Sequence, residues 1–217
     1  FRHSSGTVYF AGTDGAFSGT MTGSSTFNDV VVDGAGFRND GVTWTAATSS
    51  AQNSWYAVAY GEDLFVAVSI DGANRVMTSA NQGATWTARS AAEANQWTSI
   101  TFGSSEGSSG VACVGDPRDC AGWDSGAVSE GGQFVAVSYT GSSRVMYSED
   151  GITWTSASST ELNGWESVIY GNGKFVAVAS TGNNRVMYST DGISWTRASS
   201  TEQNTWDAIT YGNGLFV

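Results

Sequence analysis

Lysine, histidine and proline each occur once in this 217-residue chain, at Lys174, His3 and Pro117. Leucine and glutamate are scarce as well, so the strong helix formers are largely missing, and no convincing amphipathic helix can be traced. A single histidine close to the first residue leaves a Ser-His-Asp arrangement or a histidine-rich metal site without its central group. Basic side chains are few: 9 against 20 acidic ones, a net charge of −11. Such a surface repels phosphate backbones and anionic lipid, which disfavours nucleic-acid and membrane-surface roles. No apolar run is long enough to span a membrane, and no signal peptide is visible. The chain opens on Phe1 and stops at Val217 within a repeat. It therefore reads as a processed or partial chain from which a leader could have been lost.

Cysteine is nearly missing too. Cys113 and Cys120 lie in a Gly/Ser/Asp-rich stretch, in no apolar run and with no histidine or third cysteine nearby. A disulfide closing this small loop, in an oxidising compartment, is the reading taken; two free thiols in a cytosolic loop are the alternative.

Glycine and aromatics are plentiful. With 28 glycines and aromatics at 12%, the composition suits many short strands joined by tight turns, with rings supplying most of the buried area. Repeats settle how those strands are organised. Trp44, Trp86, Trp154 and Trp195 each close a turn, with Phe17 as a degenerate copy. Eleven residues after each tryptophan stands another, at Trp55, Trp97, Trp165 and Trp206; Phe27 follows Phe17 by ten. The second set recurs after 42 residues (55 to 97) and 41 (165 to 206). The 68-residue interval from 97 to 165 is one repeat plus an insertion at about 104–130. The interval from 27 to 55 is only 28 residues, so that unit either lacks two strands or has residues missing from it.

The unit from Trp165 to Trp195 contains four apolar runs separated by Gly/Asn/Asp clusters, predicting strands near 165–170, 174–179, 185–189 and 194–197. Asn172-Gly173 and Asp191-Gly192 favour the positive φ that two-residue hairpin turns require. A four-stranded unit of this size cannot bury both faces alone, and radial stacking buries them. The expected fold is all-β: a single propeller domain over 1–217, of four-stranded antiparallel blades, about five in this chain. Residues 4–10 resemble a third strand and its following turn, and would complete the last blade.

The turns resemble the Asp-box of sialidase-type (BNR-repeat) propellers, Ser-x-Asp-x-Gly-x-Thr-Trp. Ser79 to Trp86 matches its spacing with Asn81 in place of Asp. Ser148 to Trp154, carrying Asp150, and Ser189 to Trp195, carrying Asp191, are one residue shorter; Asp40 precedes Trp44 in a shorter copy still. The resemblance implies a structural role for Asp40, Asn81, Asp150 and Asp191, capping their own turns, and for Trp44, Trp86, Trp154 and Trp195, packing between sheets. It does not assign chemistry, because such propellers serve glycosidases, lectins, sorting receptors and phage or cell-surface proteins.

A sialidase-like site would need an arginine cluster, a Tyr–Glu pair and an Asp acid/base. Arg75, Arg144 and Arg185 recur at one repeat position, which favours a structural task over a ligand contact, and no blade-specific Tyr/Glu/Asp set emerges. Glu106, Asp116, Asp119 and Asp124 follow no calcium-loop spacing and read as solvated surface. No cofactor or metal is expected. Binding is better supported. Asn53, Asn95, Asn163 and Asn204 each stand two residues before a tryptophan of the second set: Trp55, Trp97, Trp165 and Trp206. An amide with an indole can grip a sugar through its hydroxyls and apolar ring face, and repetition adds multivalency. The competing assignment makes each Asn a turn cap and each Trp core. The resulting expectation is a non-catalytic adhesion module, extracellular or on a cell or virion surface, recognising glycans or a surface protein through loops on one face. The alternatives are a sialidase-like glycoside hydrolase and a structural part of a phage or cell-surface assembly, with the 104–130 loop as an assembly contact.

Overall fold

The computed structural model describes residues 46–103, 131–199 and 202–217. Phe17, Phe27, Asp40, Trp44, the 4–10 strand, the insertion and the Cys113–Cys120 bridge lie outside the described residues. Those from Ala47 onward belong to one compact unit.

Three antiparallel four-stranded sheets follow one another along the chain, each in the order first-second-third-fourth. The first holds β1 (Trp55–Gly61), β2 (Leu64–Ser69), β3 (Val76–Ser79) and β4 (Thr87–Arg89). The second holds β5 (Trp97–Gly103), β6 (Gln133–Ser138), β7 (Val145–Ser148) and β8 (Thr155–Ala157). The third holds β9 (Trp165–Gly171), β10 (Lys174–Ala179), β11 (Val186–Ser189) and β12 (Thr196–Arg197). A hairpin of β13 (Tyr211–Gly212) and β14 (Leu215–Phe216) repeats the pairing of a first and second strand. The insertion joins β5 to β6, as its place in the repeat requires.

Why these segments pair is legible in their turns. Asn172 and Gly173 take φ of 47° and 70°, and Asn213 and Gly214 take 51° and 82°, giving tight hairpins that suit the strand twist. Glu62 and Asp63 adopt the same conformation at 48° and 55° without a glycine. At Asp191-Gly192 only the glycine has positive φ, so this is not the two-residue hairpin turn expected. The aspartate side chain organises a wider turn there, and the fourth strand begins only at Thr196.

Each first strand slips register just after its tryptophan, leaving Tyr56, Thr98 or Glu166 without a partner opposite. The bulge re-aims that side chain. Thr98 uses its hydroxyl to donate to Trp165 O at 2.7 Å, tying the second sheet to the third.

The second strands are apolar on both faces because both faces are covered. Val66, Val68 and Val76 of the first sheet pack with Trp97, Ile100, Phe134, Ala136, Met146 and Trp154 of the second. On its other face the second sheet offers Val135, Val137, Val145 and Ala157 to Trp165, Val168, Phe175 and Met187 of the third. The core is therefore a set of junctions, one between each pair of sheets.

Candidate ligand-binding loop face

At one end of every sheet the linker entering the first strand meets the loop between the second and third strands. One Asn–Gly contact recurs there. Asn53 Nδ2 donates to Asn74 O at 2.6 Å, Asn95 Nδ2 to Ser143 O at 2.6 Å, and Asn163 Nδ2 to Asn183 O and, at 3.2 Å, to Asn184 O. The amide lies against Gly72, Gly141 or Gly182, where a Cβ would overlap it and where φ is 88°, 107° or 88°. Beside this stitch is a clasp. The backbone N–H before each tryptophan donates to Asp71 Oδ1, Thr140 Oγ1 or Thr181 Oγ1, at 2.6, 3.2 and 3.0 Å. The amide and hydroxyl of Ser54 hold the Asp71 carboxyl below the usual carboxylate range.

The repeated arginines serve the same loops. Arg75 Nη1 donates to Ile70 O at 2.9 Å and to Asn95 O at 2.6 Å; Arg144 Nη1 donates to Tyr139 O at 2.7 Å; Arg185 Nε donates to Gly182 O at 2.9 Å. All three guanidinium groups are engaged with backbone carbonyls of these loops.

Proposed as sugar-gripping pairs, the Asn and Trp residues need correction at two repeats. Trp97 and Trp165 are fully buried, and their Nε1 atoms donate to Glu93 O and Glu161 O at 3.1 and 3.3 Å. Asn95 and Asn163 are also buried, their amides committed to the loops. Burying the indole between sheets removes more apolar area from water than a surface stack would, and this decides the packing. Trp55 is half-buried, its Nε1 on Ala51 O at 3.1 Å, while Trp206 is 37% exposed and Asn204 Nδ2 donates to Glu202 Oε2 at 2.7 Å.

Two elements went unread in the sequence. The first is an acidic residue four before the tryptophan in three of the four linkers: Glu93, Glu161 and Glu202. Glu93 accepts from Ser142 Oγ, the Ser143 amide, Asn95 Nδ2 and Ser156 Oγ at 3.0–3.3 Å. Its burial alone would raise its pKa, but the bonds from Ser143, Ser142 and Asn95 prevail and hold it low. Glu161 accepts from Asn184 Nδ2 at 2.7 Å and pairs with Arg197 at 3.2 Å. The second is Tyr139, the lone aromatic at a loop position filled by Ile70 and Ser180 in the other sheets. It is 37% exposed, and its ring borders Gly164, which also lies beside Thr181 Oγ1.

The turns at the outer edge behave alike. Asp150 Oδ1 accepts from the Ile152 and Thr153 amides at 2.8 and 2.7 Å and from Ser148 Oγ at 2.9 Å. Asp191 repeats this with Ile193, Ser194 and Ser189 at 2.8, 2.7 and 2.8 Å. In the longer turn, Asn81 Oδ1 accepts from the Thr85 amide at 2.9 Å. Trp154 and Trp195 donate from Nε1 to Gly151 O and Gly192 O, both at 3.1 Å, and Trp86 is half-buried.

Burial pushes the two carboxyls up, yet the amide and hydroxyl bonds outweigh it and both pKa values lie below 3.8. In acid the unfolded chain therefore takes up protons before the native turns do. The stabilisation is complete above the ordinary value and is lost as pH falls through the depressed native ones. The urea midpoint is expected to drop on going from neutral pH to about pH 3. A D150N/D191N chain, its turns resembling the Asn81 turn, should show a smaller drop; an equal drop would remove these carboxylates as its cause.

No family model matches the chain, and no curated protein does. Among solved structures it is similar to the computationally designed Ika4 protein, with TM-score 0.51 and 11% identity over 80% of this chain and 91% of that one. The fold is a β-propeller. Each four-stranded sheet is a blade, and the stitched loops lie at one end of the blades. Looser likenesses are to YCF48 bound to D1 peptide (TM-score 0.49, 13% identity, 74% of this chain and 46% of that one) and to the GH74 enzyme of Niastella koreensis (0.43, 19%, 72% and 19%). The chain thus spans under half of YCF48 and about a fifth of the GH74 enzyme. Identities this low speak to fold alone.

Proposed function

We propose that this propeller is a non-catalytic binding module, extracellular or on a cell or virion surface, which takes a glycan on its loop face. We further propose that its turns are of the Asp-box type and that about five blades make up the chain, extending the repeat spacing of the tryptophans. The observation that carries the binding reading is Tyr139. A partly exposed ring borders Gly164 in the linker to the third blade, close to the Thr181 hydroxyl and next in sequence to Thr140. An apolar sugar face stacks on such a ring while nearby hydroxyls and loop backbone meet its hydroxyls. The rigid loops reduce the ordering cost of binding. Arg75, Arg144 and Arg185, which a sialidase-like site would turn toward a substrate carboxylate, here donate to loop carbonyls, Arg75 also to Asn95 O of the next linker, which favours binding over hydrolysis.

The test is a glycan array probed with the labelled chain, alongside fluorogenic glycosides. Retention of a glycan class without turnover is expected. Tyr139→Ala should weaken it by roughly tenfold, about 1.4 kcal/mol, while changing stability by about 1 kcal/mol or less. Turnover, or equal binding by Tyr139→Ala, would overturn the assignment.

A further inference from the structure

At each junction along the loop face, one residue follows the second strand and one precedes the next blade's tryptophan. In chain order these pairs are Ile70 and Gln96, Tyr139 and Gly164, and Ser180 and Thr205. The middle pair alone combines a ring with a missing side chain, and the two departures fit each other. The Tyr139 ring lies where a Cβ of residue 164 would stand, and that Cβ would also be 2.7 Å from Thr181 Oγ1. Gly164 has no positive φ, so space rather than backbone conformation calls for glycine here.

The backbone at Gly164 is that of the other linkers. Its carbonyl accepts from the Ser180 amide at 3.0 Å, as Gln96 O does from Tyr139 at 2.9 Å and Ser54 O from Ile70 at 3.1 Å. Its N–H donates to Thr181 Oγ1 at 3.0 Å, as Gln96 N–H does to Thr140 Oγ1 at 3.2 Å. Side chains are therefore accommodated at this position elsewhere in the repeat. Tyr139 is anchored by its own backbone, which donates to Gln96 O and accepts from Arg144 Nη1 at 2.7 Å. What is left to set is the direction of the ring, and the bare surface of Gly164 sets it. At the first junction the tie differs: Arg75 Nη1 joins Ile70 O to Asn95 O of the linker.

We propose that Gly164 is a positioning residue, letting the Tyr139 ring lie across the junction of the second and third blades as a platform for an uncharged sugar. This rests on the glycan reading above and adds the residue that aims the ring and the class of sugar it takes. A ring held by packing on a hydrogen-bonded backbone is ready for stacking before the ligand arrives. The sugar is uncharged because Arg144 and Arg185 donate to loop carbonyls, and an acidic sugar would meet a chain of net charge −11.

The test is calorimetry of the full chain with cellotetraose, mannotetraose and chitotetraose, and with tetragalacturonate as the acidic counterpart. A neutral sugar should bind and the acidic one should not. Gly164→Gln, which copies the linker of the first junction, should weaken binding by roughly tenfold with an unchanged circular dichroism spectrum. Tyr139→Ile should do the same, and Tyr139→Ile/Gly164→Gln should bind no more weakly than Tyr139→Ile alone, the non-additivity of one shared unit. A second readout needs no ligand. In chains labelled with 3-fluorotyrosine, the fluorine resonance that Tyr139→Phe removes should shift in Gly164→Gln. An unshifted resonance would overturn the role of Gly164 whatever binds, and so would equal binding of a neutral sugar by Gly164→Gln. Preference for tetragalacturonate would overturn the sugar class. Were none of the four to bind, the platform would be overturned, and the glycan array decides whether the broader reading falls with it.

Discussion

Trp97→Ala and Trp165→Ala are each expected to cost about 3–5 kcal/mol of stability, the range for removing a large aromatic from a packed core. Both indoles are fully buried and lie in different blade junctions. Trp97 closes the first blade against the second, and Trp165 closes the second against the third. Each truncation would leave a void lined by valines of the preceding blade and free the Glu93 or Glu161 carbonyl that accepts the indole N–H. Trp206→Ala removes a side chain that is 37% exposed and should cost about 1 kcal/mol or less. Urea unfolding followed by circular dichroism checks the ranking, because fluorescence would itself change with the tryptophan. A Trp97→Ala chain that kept its midpoint and lost a ligand would return this indole to the binding surface.

The strands and their order were legible because the pattern carrying them is dense. Two-sided apolar runs such as Phe175 to Val178 predict a strand covered on both faces, and the third blade has one, Lys174–Ala179. The loop face was misread at Asn95 and Asn163 for a definable reason. An amide beside an indole suits a sugar and a buried stitch equally well, and local sequence does not state which side faces water. Recurrence did contain the answer. The same repetition that made Arg75, Arg144 and Arg185 look structural applied equally to the asparagines. Tyr139 escaped for the opposite reason: it breaks the repeat, and a search for shared positions passes over such a residue. In the sequence the glycines after Tyr60, Phe102, Tyr170 and Tyr211 look like any others that separate strands. Three of them are seats for rings far away in sequence, a demand that hairpin chemistry does not reveal.

Those seats yield a prediction in which two effects oppose each other in sign. Gly103 ends β5, and replacing a strand glycine by valine should stabilise by up to about 1 kcal/mol on strand preference alone. The site forbids it. A Cβ at Gly103 would overlap the Tyr170 ring and stand 2.7 Å from Phe175 Cζ. Neither ring can yield by itself, because they pack on each other at 4.7 Å. Phe175 is also buried in the junction formed by Val135, Val137 and Trp165. Relief would require the third blade to move away from the second, so Gly103→Val is expected to destabilise by roughly 3 kcal/mol, at the upper end for overpacking. Gly131→Val is the matched control, with positive φ and close neighbours both absent at that glycine, and should lie within about 0.5 kcal/mol of the parent. Equal urea midpoints for the two variants would mean that the blades are not held by their glycine seats. A lower midpoint for Gly103→Val alone would show steric fit prevailing over strand preference at the junction.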